Sequence, residues 1–580
     1  MNRNTELRFG AIPTINQKRS KFDLSHSHKT TFSTGDLIPI YVDSDITPGD
    51  TVQMDISELI RMSTPIYPTM DNLWADVYFF FVPHRLVWEH WAEFWGENDD
   101  PWTQETEYEI PQIVSPQEAG YNFGTIADYM GIPTGVPKLS VNALPFRAYC
   151  KIWNDWFRDE NLKECCHIYT DETTRNGVNT GDYVTNAELG AKPLKVAKLA
   201  DYFTKALPEP QKGEAVQLPL GSWSPVYARW ETGIPGKEID VPEYYSTGFR
   251  PLQGGVDTTP AFKYVDGYNK PRYLTNNRAI YGTSGNENKS GRLAYGVTNI
   301  NSNEIENSYK LSLSNLWTDL SMATASTIGE LRQAFAIQKF YEAQARSGSR
   351  YIEVVKSLFG VTSSDARLQR AEYLGGQRIP INMDQVLQTS STDNTSPQGN
   401  TAGFSCTINN ESLFTHSFEE HGTLMGLICI RTEHTYQQGL NKMWSRKSKF
   451  DFYNPFFANL SEQGILNKEI YAEGEIEDSK DDEVFGYQEA WADYRYKTNR
   501  VSGMLRSNYA QSLDAWHYAD DYETMPYLST EWIDETYENV DRTLAVGSSL
   551  ANQFIADFYF KTYYTRCMPV YSVPGLIDHV

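Results

Sequence analysis

Segments with strand character are scattered along this chain from residue 37 to beyond residue 560, and the stretches between them are far longer than strands require. Leu37 to Val42, Thr51 to Ile56 and Leu73 to Val82 follow one another closely; the second enters after Thr47-Pro48-Gly49-Asp50 and the third is closed by Pro83. The pattern then lapses, returning at Leu424 to Arg431 and Phe554 to Tyr563. A parallel α/β sheet would alternate strands and helices at short intervals. This spacing predicts a mainly β, antiparallel sandwich with elaborated connections. Eight strands of about six residues use only about 50 residues, and the chain has 580, so most of it must lie outside the sheets.

The connections have their own signals. Val87, Trp88, Trp91, Phe94 and Trp95 recur at helical spacing before Gly96, as do Phe146, Tyr149, Trp153, Trp156 and Phe157; both stripes read as core packing. Thr327-Ile328-Gly329-Glu330 has the form of a capping box opening a helix through Phe340, and a second helix from about Tyr351 to Phe359 is stopped by Gly360. Residues 1–35 form a basic arm, with Arg3, Arg8, Lys18, Arg19, Lys21 and Lys29 against Glu6 and Asp23. Residues 36–220 are expected to hold strands and helical insertions. Residues 221–310, rich in Gly, Asn, Ser, Thr and Tyr, read as an exposed insertion. Residues 311–580 supply the remaining strands, helical insertions and the C-terminal segment. No period of 20 to 50 residues repeats, which removes solenoids and propellers.

Charge narrows the function. Lys plus Arg total 51 against 75 Asp plus Glu, a net charge of −24, which disfavours gripping a duplex by phosphate neutralisation. With a mean hydropathy of −0.52, no stretch approaches the roughly 18 apolar residues of a membrane span, and the first ten residues lack the apolar run of a secretory signal. Six cysteines at 150, 165, 166, 406, 429 and 567 contain no C-x-x-C and read as free thiols. Catalytic motifs fail on inspection. Gly282 to Ser290 has Asn288 where a phosphate loop needs Gly before Lys289, and Gly403-Phe404-Ser405-Cys406-Thr407 ends in Thr where a nucleophile elbow needs Gly. His26 and His28, Cys165-Cys166-His167 and the acidic run Glu473 to Glu483 lack metal-site spacing. The expectation is a non-enzyme with no cofactor and no metal.

What stands out is aromatic content, 13% of residues with 37 Tyr, 27 Phe and 14 Trp. Such side chains enrich protein interfaces, sugar sites and base-stacking platforms. One cluster interleaves them with cations: Lys442, Trp444, Arg446, Lys447 and Lys449, followed by Phe450, Phe452 and Tyr453. Cations following a backbone while rings stack on unpaired bases suit single-stranded nucleic acid. A subunit contact with extended Lys and Arg side chains fits the same residues.

Several runs carry a family resemblance. They include Ile12-Pro13-Thr14-Ile15-Asn16, Arg19-Ser20-Lys21-Phe22-Asp23, Phe79-Phe80-Phe81-Val82-Pro83, Leu144-Pro145-Phe146-Arg147-Ala148-Tyr149 and Trp156-Phe157-Arg158-Asp159-Glu160-Asn161-Leu162. Others are Asp365-Ala366-Arg367-Leu368-Gln369-Arg370, Phe485-Gly486-Tyr487-Gln488-Glu489 and Pro569-Val570-Tyr571-Ser572-Val573-Pro574-Gly575. Together they resemble the major capsid proteins of gokushoviruses, small single-stranded DNA phages of the Microviridae. The resemblance implies a single eight-stranded jelly roll, sixty copies of which form a T=1 icosahedral shell around a circular single-stranded DNA genome. It also implies that the 221–310 insertion forms threefold protrusions meeting a host surface receptor, with Trp223, Trp230, Tyr281 and Asn286 as candidate contacts. Implied partners are further copies of the chain, a small basic packaging protein and a pilot protein, without membrane insertion; the location is the virion, assembled in the host bacterial cytoplasm. On this reading Arg3, Arg8, Lys18, Arg19, Lys21 and the 442–449 cations line the interior, offsetting the acidic subunits. The competing classes are a carbohydrate-active β-sandwich, lectin or glycoside hydrolase, and a free single-stranded DNA binding protein.

Overall fold

The computed structural model describes residues 18–97, 107–214, 216, 226–228, 262–265, 271–274, 316–318, 328–348, 350–390, 398–399, 401–474 and 479–571. Its framework strands are β1 (Ser20–Asp23), β2 (His26–Phe32), β3 (Ile38–Ile46), β4 (Thr51–Met62), β5 (Leu73–Pro83), β6 (Glu372–Pro380), β7 (Thr407–Ser417), β8 (Gly422–Thr432) and β9 (Phe554–Arg566). In the first sheet β1 and β2 both pair with β9, which pairs with β4, which pairs with β7; the second sheet runs β6-β5-β8-β3. Every one of these pairings is antiparallel. Counting β1 and β2 as one strand broken at Leu24-Ser25 gives eight, ordered 1-8-3-6 and 5-4-7-2, the strand order of a jelly roll. The two long connections are residues 84–371 and 433–553.

Side-chain patterning explains which sheet is covered. In β4 and β9 inward and outward residues alternate: Val52, Met54, Ile56 and Ile60 face Phe554, Phe558 and Phe560 in one core, while Ile555, Tyr559 and Lys561 point outward. β5 and β8 are apolar almost throughout because both their faces are buried. Val77, Phe79, Leu424 and Ile428 join the inter-sheet core, whereas Phe80, Val82, Met425 and Leu427 meet Trp88, Phe146, Tyr149 and Trp153 from the first long connection. Tyr41 closes the inter-sheet core, its ring 5.1 Å from Phe560 and its hydroxyl 2.8 Å from that of Tyr564. The inward row of β4 has one exception, Glu58, buried among these apolar side chains.

The second face is covered by α1 (Leu144–Ile152), which continues as a wider π-type turn through Phe157. Tyr149 donates to the Leu37 carbonyl at 2.8 Å, and buried Arg147 pairs with buried Glu188 at 3.0 Å. The other aromatic stripe follows a 3₁₀ turn, His84–Leu86, and forms only a four-residue helix, Trp91–Phe94; Trp88 is buried, whereas Trp95 is largely exposed, its ring stacked on His421 at 4.5 Å. A third cluster, Tyr202, Phe203, Tyr436, Ile465, Phe485 and Trp532, joins the two long connections.

Several elements differ from the expected ones. Residues 20–32, read as part of a basic arm, are strands β1 and β2. β4 runs to Met62, past Glu58 and Arg61, which interrupt its apolar pattern. Strands β6 and β7 lie at sheet edges, where burial is lower and the sequences EYLGGQRIP and TINNESLFTHS carry little apolar signal. α2 (Ile328–Ser347) runs beyond Phe340 to Gly348, which has a positive φ of 97°, and α3 (Tyr351–Phe359) ends at Gly360 as expected. Residues 216–337 form a separate compact unit, wider than the 221–310 insertion read from composition. Its described strands are two antiparallel pairs, Val226–Ala228 with Leu316–Thr318 and Phe262–Val265 with Pro271–Leu274.

Candidate nucleic-acid interface

The solvent face of the first sheet carries Lys21 and Lys29. Lys21 on β1 lies with its ammonium 3.9 Å from the Tyr563 ring centroid on β9, and Lys561 approaches the same ring at 5.8 Å. Exposed Tyr559, opposite Ser57, and exposed Arg61, opposite Ile555 further along the ladder, lie on the same outward face of β9 and β4. This is a basic-aromatic surface of the type that suits unpaired bases and phosphates. Acids share it, as Lys29 pairs with Asp557 at 3.1 Å and Lys561 lies 3.9 Å from Asp55. Lys18 is exposed. Arg19 is not a free cation: it donates to the carbonyls of Gly49 and Thr565 and to Thr51 Oγ1 at 2.5–3.1 Å, fastening the β3–β4 turn to β9. Lys561, Tyr559 and Tyr563 were not selected from the sequence, because they alternate with apolar residues in a run that reads simply as a strand. Only pairing with β1 brings Tyr563 and Lys561 beside Lys21, while Tyr559 lies opposite Ser27 on β2.

The 442–449 cluster divides differently. Arg446 forms an ion pair with Asp493, donates to the Asp451 carbonyl at 2.9 Å and lies 4.4 Å from the Tyr494 ring. Lys442 reaches the Gly464 carbonyl at 3.5 Å and Glu469 at 3.9 Å. Both serve the subunit's own packing. Lys447, Lys449 and Trp444 remain exposed. Hydrogen bonds from the Ser448 and Lys447 amides hold the Asp451 carboxyl below its ordinary range. Among the described residues, no hydrogen bond, ion pair or ring contact joins this cluster to Lys18, Arg19 or Lys21.

Arg3, Arg8, Trp223, Trp230, Tyr281 and Asn286 lie outside the described residues, as does the phosphate-loop candidate at 282–290. Ser405 lies in the strand Thr401–Ser405, where its hydroxyl donates to the Asn382 carbonyl at 2.9 Å rather than standing at a strand-to-helix turn. In the acidic run, Asp481 accepts from the Glu473 and Gly474 amides, and Asp482 pairs with Lys468; Glu475, Glu477 and Asp478 are outside the described residues.

An antiparallel jelly roll with connections larger than its sheets narrows the class to viral shell proteins and the sugar-binding or cupin domains that share the topology. The comparisons choose among them. The model of the family described as "Capsid protein (F protein)" matches residues 10–576, and the chain belongs to that family. It is 42% identical over 568 residues to the capsid protein VP1 of Spiroplasma virus 4, covering 96% of this chain and 95% of that protein. The capsid proteins VP1 of Bdellovibrio phage phiMH2K and Chlamydia phage 1 are 41% and 38% identical, with at least 97% of each chain covered. The carbohydrate-active alternative is not favoured.

Proposed function

We propose that the chain is the major subunit of a T=1 icosahedral shell, sixty copies of which enclose a circular single-stranded DNA genome. The observation that carries this reading is the end-to-end similarity to three proteins named capsid protein VP1. The jelly roll supports it, and so does an aromatic surplus suited to subunit contacts. The shell forms in the host bacterial cytoplasm and remains as the virion coat. A small basic packaging protein and a pilot protein join it, and the 221–310 insertion, with Trp223, Trp230, Tyr281 and Asn286, meets the host receptor.

Enclosing DNA in subunits of charge −24 requires cations on the genome-facing surface. Exposed Lys21 and Lys561 on the first sheet, with Tyr563 between them, and exposed Lys18 just ahead of β1 supply these, assisted by Arg3 and Arg8. Converting Lys18, Lys21 and Lys561 together to Gln tests this role. Particles are expected to form in normal yield with several-fold less protected single-stranded DNA per particle, measured by absorbance ratio and nuclease protection. Particles with unchanged DNA content would remove this face from the genome contact.

A further inference from the structure

The segment from Met443 to Leu460 is ordered but covered by almost nothing. Phe456 is 95% exposed, Trp444 70% and Phe450 62%; Phe452, Leu460, Tyr453 and Met443 are about half exposed. At about 200 Å² per large side chain, these residues present on the order of 850 Å² of largely apolar side-chain surface from one short stretch. The largest apolar patch on an ordinary monomer is roughly 300–600 Å², whereas one side of a specific protein interface buries roughly 800 Å².

Local hydrogen bonds fix the shape of this stretch without a partner. Three successive 3₁₀ turns, Lys442–Trp444, Lys449–Asp451 and Pro455–Phe457, are each capped by the residue before them: Asn441 accepts from the Met443 amide, Ser448 from Phe450 and Asn454 from Phe456. Arg446 clamps the middle to Asp493, and Trp491 donates its indole N–H to the Phe457 carbonyl at 2.9 Å. The rings are therefore held outward in advance, which lowers the ordering cost of docking them.

We infer that residues 443–460 form a preorganised docking arm that buries its exposed rings on a second copy of this chain. The inference rests on the shell reading and adds to it the contact surface. Charge selects the occupant. With Arg446 and Lys442 engaged, only Lys447 and Lys449 remain to meet phosphates, too few to make nucleic acid the main occupant of so apolar a surface. An arm facing its own symmetry mate would set those lysines against identical lysines. Against another face of a neighbour carrying net charge −24 they find acids. The contact is thus head-to-tail, the type that generates rings and closed shells.

The test uses the full chain assembled into particles. Hydroxyl-radical footprinting compares Trp444 and Phe456 in free subunits and in particles, and a Trp444→Ser, Phe456→Ser double variant is followed by sedimentation. Strong oxidation of both residues in the free subunit and at least tenfold protection in the particle is the expected result. The double variant should retain the wild-type unfolding transition while its assembly threshold rises at least tenfold in concentration. Equal oxidation in both states, or a folded variant that assembles like wild type, would overturn the inference and leave the shell reading intact. Normal assembly of empty particles with loss of DNA alone would assign the arm to nucleic acid and overturn it too. Wild-type chain that forms no particle would overturn the shell reading, and this inference with it.

Discussion

Replacing His434 with alanine is expected to destabilise the subunit by about 3–5 kcal/mol, the effect of leaving buried charges without their partner. His434 lies just beyond β8 and is buried between two carboxylates: Nδ1 is 3.0 Å from both Asp520 oxygens and Nε2 is 3.1 Å from Glu535 Oε2. Thr432 Oγ1 donates to Glu535 at 2.7 Å, and Tyr522 and Asn539 donate to Asp520. These residues come from the start and the far end of the 433–553 connection, so one imidazolium fastens the base of that whole excursion. Burial pulls the imidazole pKa down, but the two carboxylates outweigh it and lift the value to about 10. The unfolded chain releases this proton near pH 6.5. The contribution is therefore complete below about pH 6.5 and is lost as pH rises through about 10. Urea unfolding between pH 6 and 10 checks this: wild type should lose stability across the window and His434→Ala should be much flatter. A variant within about 1 kcal/mol of wild type, with the same slope, would contradict the role.

Glu58→Gln should act in the opposite direction. Glu58 points into the inter-sheet core, with Oε1 accepting from Gln377 Nε2 at 2.8 Å while Oε2 has no hydrogen-bond partner. Burial raises its pKa to about 7, against the pull of the Gln377 and Asn409 amides. The native state thus keeps a proton that the unfolded chain releases near pH 4.5, and wild-type stability falls as pH rises from about 4.5 to 7. Glutamine keeps the shape and removes the ionisation. It should stabilise the subunit by about 2–3 kcal/mol at pH 8 and change little at pH 4.5. Unfolding midpoints at the two values decide it; a loss of stability at pH 8 would show that the charged carboxylate is what the core requires.

The sandwich was legible because β5, β8 and β9 carry long apolar or alternating runs, and Pro83 and Gly360 punctuate the chain where elements end. Edge strands β6 and β7 were not legible, because an edge needs fewer apolar residues and Gly375-Gly376 lies inside one of them. β1 and β2 were misread as an arm for a related reason: His26-Ser27-His28-Lys29 is polar, and only pairing with β9 makes it a strand. Among the site residues, the interleaving of rings and cations singled out the 442–449 region, but local sequence does not contain Asp493 or Glu469, which engage Arg446 and Lys442 from more distant positions. The His434 cluster joins residues up to 101 positions apart, and no spacing rule anticipates such a contact.

Imaging of the purified chain by electron cryomicroscopy, with its particle mass from sedimentation, tests the central claim most directly. Sixty copies at 66.2 kDa predict closed icosahedral particles of about 4,000 kDa, with jelly rolls forming the wall and residues 443–460 buried against neighbouring copies. A chain that stays a 66.2 kDa monomer at high concentration, or closes into a small oligomer with those residues still exposed, would contradict the account.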